Sequence, residues 1–355
     1  MRYSKADRLI VIGSGITGLM TAINARLSGL DVYMLEKGKM PSGSSARIAG
    51  VLHSGARFAG WDDELAKICF EEWKWWVSVL GKEEKKIGGY FLKTKTESDQ
   101  YLESWLSSLK NIGIPFTEVE NPYIGGDIKK ENIDRFYFVP EIQINARKLL
   151  NKLLELAINL GVNYLPSSVI QEVERADGSY RITVRKKDTL KLEGFPVISS
   201  GIDIPEVAKK FGINVTSKVY QGSHILLNTD LTDLLEFVHK PGTYDLLIPS
   251  DLGTFITPTL VPYNGLTLSE EELAGLSQVL KNLFEIEPEV IGYMIAGRIS
   301  ISSPDSTLKG DYLAYTQDTI LAWSNNYACG KRLAYAIADI LGIKKALTAA
   351  TLISD

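Results

Sequence analysis

The sequence predicts an α/β chain that opens on a Rossmann-like βαβ unit and interleaves that domain with a second one. Three observations carry this. Arg8 to Ile12 (RLIVI) is a short β-branched run leading straight into Gly13-Ser14-Gly15-Ile16-Thr17-Gly18. Apolar residues then recur at helical spacing, at Ile16, Leu19, Met20, Ile23 and Leu27, until Gly29 breaks the pattern. A second run, Asp31 to Leu35, ends at Glu36. Strand, GxGxxG, helix, strand and acid within about 30 residues is the context in which this motif signals a dinucleotide site.

Each position in the motif has a physical task. Gly13 permits the tight turn, Gly15 lets a pyrophosphate approach the backbone, and Gly18 lets helix and strand pack closely. The helix start at Ile16 and Thr17 supplies N–H groups and the positive end of the helix dipole. Glu36 suits a ribose hydroxyl and would repel a 2′-phosphate, which disfavours NADP. No second GxGxxG follows, so the chain has one such site. On the motif alone, NAD and FAD both remain open.

Composition narrows the class. A length of 355 residues suits about two domains, and 45% hydrophobic content is ordinary for a packed protein. A net charge of -4 argues against nucleic acid as a partner, because phosphate contacts need a concentrated basic surface. Cys69 and Cys329 lie far apart without metal-binding spacing, which fits a reducing compartment with neither disulfides nor zinc. The start MRYSKADRLIVIG lacks the pattern of a signal peptide, and no apolar run reaches the roughly 18 residues of a membrane span. The expectation is a cytoplasmic protein, peripheral at the inner face of the cell membrane at most.

After Glu36 the chain reads KGKMPSGSSARIAGVLHSGARFAG, a run of small residues with little periodicity. So long an irregular stretch in a domain usually serves a site. It contains His53, one of three histidines, and Arg57 four positions later. Farther on, Asp62 to Leu80 carries a helical apolar stripe, Gly88 to Leu92 begins a strand, and Tyr101 to Leu109 reads as a helix. Ala146 to Gly161 is a long amphipathic helix, followed by a strand from Val162 to Leu165. A hairpin comes next, with strands from Ile170 to Arg175 and Tyr180 to Lys186 joined at Asp177-Gly178. Phe195 to Ser199 reads as a buried strand, Ser269 to Phe284 as a helix, and Gly330 to Leu341 as the closing helix. The expected division is 1–87, 141–214 and 295–355 for the cofactor domain, with 88–140 and 215–294 for the substrate domain.

Several of these segments together resemble a known family. GSGITG, LEKG, SGSSAR, GVLHSGARFA and DDELAKICFEEW are similar to the N-terminal third of FAD-dependent glycerol-3-phosphate dehydrogenases, in the class of D-amino-acid oxidase and L-2-hydroxyglutarate dehydrogenase. The likeness resumes at Gln221 to Ile225 (QGSHI), Tyr244 to Thr259, Ala296-Gly297-Arg298 and Cys329-Gly330-Lys331. It implies FAD as cofactor and a substrate domain built on a mainly antiparallel sheet. The implied reaction is oxidation of sn-glycerol 3-phosphate to dihydroxyacetone phosphate. Electrons would pass to a quinone or an electron-accepting protein, with a small membrane-anchoring partner that the tail KKALTAATLISD could contact.

The resemblance also assigns residues. It makes His224 the first choice for the catalytic base, with His53 beside the flavin ring or the substrate hydroxyl. Arg57, Arg298 and Lys331 would surround the anionic end of the substrate, a task suited to arginine's planar fork. Besides the motif residues and Glu36, cofactor contacts are implied at Lys37, Ser44, Ser45, Arg47, Gly50, Leu52, Val169, Ser200, Gly201, Arg298, Gly330 and Lys331. His239, in EFVHKPG, receives no role. The sequence departs from the family at Gln221 (lysine there), at Thr257-Pro258-Thr259-Leu260 (GTTD), at Ile299 (proline) and at Ser199-Ser200-Gly201 (AAG). Two alternatives therefore stand beside the first: oxidation of another small anion, a 2-hydroxy acid such as L-2-hydroxyglutarate or an amino acid, and a non-catalytic flavin-binding subunit of a larger complex.

Overall fold

The βαβ start forms as its motif demands: strand β1 (Arg8–Ile12), helix α1 (Ile16–Leu27) and strand β2 (Asp31–Leu35). The computed structural model describes residues 8–48, 50–120, 122, 128–230, 235–238, 246–257, 261–263, 265, 267–285, 289–301, 311–324 and 326–353. It divides into unit 1, Met1–Ala46, Ala146–Val219 and Arg298–Asp355, and unit 2, Arg47–Asn145 and Tyr220–Gly297.

Unit 1 is built on a parallel sheet. β1 pairs in parallel with β2 on one side and with β10 (Thr189–Ile198) on the other. β2 continues to β7 (Asn163–Leu165), and β10 to β18 (Ile320–Ser324), whose outer neighbour β17 (Asp311–Tyr315) is antiparallel. Leu9, Ile10 and Val11 are wholly buried, which explains why β1 reads as an unbroken apolar run and not an alternating one. Helix α1 packs against α4 (Ala146–Asn159) and α7 (Gly330–Leu341). The predicted hairpin is β8 (Val169–Ala176) and β9 (Ser179–Arg185), paired onto the outer half of β10. Helices α5 (Ile204–Lys210) and α8 (Ala349–Ile353) complete the unit.

The tail proposed as a partner contact packs within unit 1. The Asn24 amide donates to the Lys344 carbonyl at 3.0 Å and accepts from Ala346 N–H at 2.7 Å. Leu347 and Leu352 are buried. These two leucines are thus spent on the chain's own fold, and Ser354 and Asp355 lie outside the described residues.

Unit 2 holds the second sheet, in the order β15-β11-β14-β13-β12-β4-β6-β3. These are β15 (Val261–Pro262), β11 (Ser217–Leu227), β14 (Gly253–Thr257), β13 (Leu246–Ser250), β12 (Leu235–Val238), β4 (Lys86–Thr94), β6 (Ile133–Gln143) and β3 (Val51–Leu52). β16 (Val290–Ile301) joins at β11, and β5 (Thr117–Glu118) at β6. The strand pairings described in this sheet are antiparallel except β12 with β4, so the mainly antiparallel sheet is as expected. Helices α2 (Asp63–Val79), α3 (Asp99–Ile112) and α6 (Glu270–Leu283) accompany it.

The predicted domain boundary misplaces residues 47–87, which group with unit 2. β3 pairs with β6, and Ala66 and Phe70 of α2 share a core with Phe91, Trp105 and Tyr137. The smaller shifts at 141–145, 215–219 and 295–297 follow the same clustering.

Candidate active site and cofactor cradle

In unit 1 the glycine-rich turn is tightly built. Gly13 has φ of +107°, and a Cβ there would lie 2.6 Å from the Ser199 carbonyl oxygen at the end of β10. A Cβ on Gly18 would lie 1.9 Å from the Gly13 carbonyl oxygen. Only glycine fits either place. Gly15 is the N-cap of α1, whose first turn carries no acidic side chain and no side-chain cap on Gly15. The Ile16 N–H donates to Ser45 Oγ at 3.2 Å, from a short turn at Ser44–Ala46, while Thr17 is buried in the helix. Such a helix start favours an anion.

Glu36 sits at the end of β2 and is buried. Its Oε2 accepts from Ser14 N–H at 3.1 Å and Ser14 Oγ at 2.6 Å, and its Oε1 from Gly38 N–H at 2.8 Å. The carboxylate is thereby pinned at the turn. Beside it, burial and then the Glu36 charge push the Tyr164 phenol up to about 12, against the contrary pull of the Ser14 hydroxyl. Tyr164 therefore stays neutral near neutral pH and adds no negative charge beside a phosphate site.

Ser200 Oγ is buried and has no hydrogen-bond partner among the described residues, and Gly201 follows with φ of +60°. Gly330 opens α7 against Ile16. These residues fit a dinucleotide: a glycine cradle, an anion-friendly helix start, a pinned acid and an orphaned hydroxyl converge within one unit. Lys37 forms an exposed ion pair with Asp203, Lys331 lies over the Tyr335 ring at 5.7 Å, and Val169 is exposed at the start of β8. Arg298, on β16, is exposed too.

Arg47, Gly50 and Leu52 fall in unit 2. The Gly50 carbonyl accepts from Ile144 N–H at 2.8 Å, and Leu52 is wholly buried opposite Ile142. This pairing aligns the next residues across the strands as well. Glu141, wholly buried, accepts at Oε2 from Ser54 N–H at 3.1 Å and at Oε1 from Ser54 Oγ at 2.9 Å. Its Oε2 also lies 3.1 Å from His53 Nδ1. The His53 ring meets Phe58 edge-on at 5.4 Å, and Phe58 stacks on Trp61. Arg57, in the same short segment, is buried.

His224, also in unit 2, is buried on β11 and pairs through Nδ1 with Thr257 Oγ1 on β14. Gln221, at the position where the family has lysine, donates its amide to Glu272 Oε2 at 2.9 Å and to the Thr267 carbonyl at 2.7 Å. Ser223 Oγ donates to Glu272 Oε1 at 2.6 Å. Gln221 thus ties β11 to α6. Pro258 to Leu260 of the altered TPTL segment, and His239, lie outside the described residues. Among the described residues no cluster of metal-ligating side chains occurs, and no helix is long and apolar enough to cross a membrane.

Sequence reasoning missed Glu141, Ser54, Thr257 and Glu272. A lone acid inside the apolar run FYFVPEIQ was the available signal for Glu141. For Glu272 it was the Ser269-x-x-Glu272 capping box, which the structure forms.

Comparison with known proteins agrees with this picture. The chain is 28% identical over 277 residues to the anaerobic glycerol-3-phosphate dehydrogenase subunit A1 of Haloferax volcanii, covering 70% of this chain and 46% of that protein. The chain spans about half the length of the curated relatives it matches. L-α-glycerophosphate oxidase from Mycoplasma pneumoniae, solved with FAD bound, superposes with a TM-score of 0.79 at 14% identity, over 95% of each chain. Glycine oxidase from Geobacillus kaustophilus gives 0.75 at 16% identity, over 94% of this chain and 95% of that one. The profile of FAD dependent oxidoreductases matches residues 8–338, and the chain belongs to that FAD-dependent family.

Proposed function

We propose that this chain carries the flavin and the reacting residues of a dehydrogenase that oxidises sn-glycerol 3-phosphate to dihydroxyacetone phosphate. The observation that carries the reading is the segment after β3. It presents His53, whose side chain retains 14% exposure, with Arg57 in the same short loop of unit 2. The likeness to the glycerol-3-phosphate dehydrogenase subunit supports it, because it extends over 70% of the chain.

Unit 1 holds the adenosine and pyrophosphate of FAD through Gly13, Gly15, Ile16, Gly18 and Glu36, with Ser200 supplying a further hydroxyl. FAD, when bound, supplies the acceptor for the hydride that leaves the secondary carbon. His53, only partly buried where His224 is buried, takes the hydroxyl proton in place of His224, the first choice by resemblance, with its imidazole as general base. Arg57 holds the phosphate. His224, fixed against Thr257, is the second histidine of the site and shapes the wall on β11. Electrons then pass to a quinone or a protein acceptor, with a membrane-anchoring partner and a location at the inner face of the membrane as part of the same proposal.

A second reading is favoured by one observation. Gln221 stands where the family has lysine and is engaged with Glu272 and Thr267, so that position offers no cation. A smaller or differently charged anion, a 2-hydroxy acid or an amino acid, would then suit the site. Mixing the purified flavoprotein without oxygen with sn-glycerol 3-phosphate, L-2-hydroxyglutarate or glycine separates the readings. Bleaching of the flavin bands by the first alone is the expected result. Bleaching by one of the others alone would transfer the assignment, and bleaching by none would leave a flavin-binding subunit.

A further inference from the structure

We propose that Glu141 is a positioning residue of this reaction: it holds His53 in the tautomer whose Nε2 faces the substrate hydroxyl. The proposal rests on the reading that His53 takes the hydroxyl proton. Three observations support it, and each comes from unit 2.

The first is register. Val51 opposes Gln143 and Leu52 opposes Ile142, so the antiparallel pairing of β3 with β6 brings His53 alongside Glu141. Backbone pairing, not a flexible side chain, sets the approach.

The second is the donor count. Oε1 accepts from the Ser54 hydroxyl, and Oε2 accepts from the Ser54 backbone N–H and lies within hydrogen-bond reach of His53 Nδ1. A wholly buried carboxylate that already faces two donors is an acceptor, so the ring nitrogen facing it carries the proton. Neutral imidazole has one N–H, and committing it to Nδ1 leaves Nε2 as the acceptor. The carboxylate also stabilises the charge that His53 gains when Nε2 takes a proton, as in other histidine–carboxylate pairs.

The third is confinement. Phe58 meets the ring edge-on at 5.4 Å and stacks on Trp61, so the imidazole is held between Glu141 and an aromatic pair. Ser54, wholly buried, anchors Glu141 twice, which makes the carboxylate the fixed member and the ring the part it orients. Glu141 touches no substrate in this scheme. It acts through His53, as outer partners of functional histidines do.

The test reads the tautomer and the chemistry separately. With isotope-labelled histidine, nitrogen chemical shifts of the FAD-loaded protein report which ring nitrogen bears the proton, and only three histidines need assignment. His53 in the wild type is expected as the Nδ1–H form. An Nε2–H form there would overturn the proposal without any variant. In Glu141→Gln the amide can accept through only one atom, so the single tautomer should be lost. Anaerobic flavin reduction by sn-glycerol 3-phosphate should then slow about 100-fold with substrate affinity little changed. Loss of the tautomer with an unchanged rate would overturn the proposal. So would retention of the Nδ1–H form in that variant. Ser54→Ala, which removes an anchor but leaves the His53 contact, should keep the tautomer if Glu141→Gln fails to fold; its loss there would count against the assignment. His53→Asn distinguishes the two claims: reduction at the wild-type rate refutes His53 as base, while the wild-type tautomer still decides whether Glu141 orients it.

Discussion

Gly18 and Glu36 show how little freedom the cofactor turn leaves at single positions. A methyl group on Gly18 would sit 1.9 Å from the Gly13 carbonyl oxygen, so α1 and β1 would have to separate. Gly18→Ala should cost about 1–3 kcal/mol or more through overpacking. It should also purify with little flavin, read from the ratio of flavin to protein absorbance; full FAD content would show that the turn tolerates the shift. Glu36→Ala fails for a different reason. It strips the acceptor from Ser14 N–H, Ser14 Oγ and Gly38 N–H at a buried place. Destabilisation of the apoprotein by about 1–3 kcal/mol in urea is expected, with weaker FAD binding in a fluorescence-quenching titration. Unaltered apoprotein stability would mean that those donors find other partners. Gly18 was legible in the sequence as a close-packing position, because the GxGxxG context fixes it locally. Glu141 was not, since its role depends on a partner strand almost ninety residues from its own and local periodicity carries no trace of that pairing.

At the scale of elements the same contrast holds. β1, α1 and β2 match the residues read from pattern, and so does α7, since each is specified by its own apolar period and by glycines at its ends. The assignment of 47–87 failed because β3 is only two residues long and takes its identity from β6. The docking of the tail left no local signal because Asn24, in the last turn of α1, supplies its hydrogen bonds. Element ties of this kind can be tested at β11 and α6. Glu272, buried, accepts from Gln221, Ser223 and the Ser269 backbone, the last at 3.0 Å as part of the cap of α6. Glu272→Ala leaves buried donors unmet and removes half the capping box, a loss of about 2–4 kcal/mol. The denaturant midpoint should fall with an unchanged slope. A midpoint within error of wild type would show that the tie between β11 and α6 carries no stability, and that Gln221 is free to be replaced by the family's lysine.

For the whole molecule, the proposed placing of FAD contacts in unit 1 makes a prediction that single substitutions do not. The proposed cradle residues Gly13, Gly15, Ile16, Gly18, Glu36 and Ser200 belong to unit 1, whose described apolar cluster around Ile10 and Ile198 shares no residue with those described in unit 2. A ligand that binds only the folded form stabilises it by about 2.7 kcal/mol at a hundredfold excess over its dissociation constant. That free energy appears first where the ligand's contacts are, because stability is not uniform across a structure and local openings report their own surroundings. Amide hydrogen exchange of the apoprotein with and without saturating FAD should therefore show its largest gain in β1, the first turn of α1, the end of β2 and the end of β10. A gain of up to about a hundredfold in protection corresponds to the stabilisation above. Gains confined to the strands β13 and β14 of unit 2, with the βαβ turn unchanged, would move the cofactor away from the GxGxxG cradle. The assignment of Glu36 and Ser200 to FAD would then fall with it.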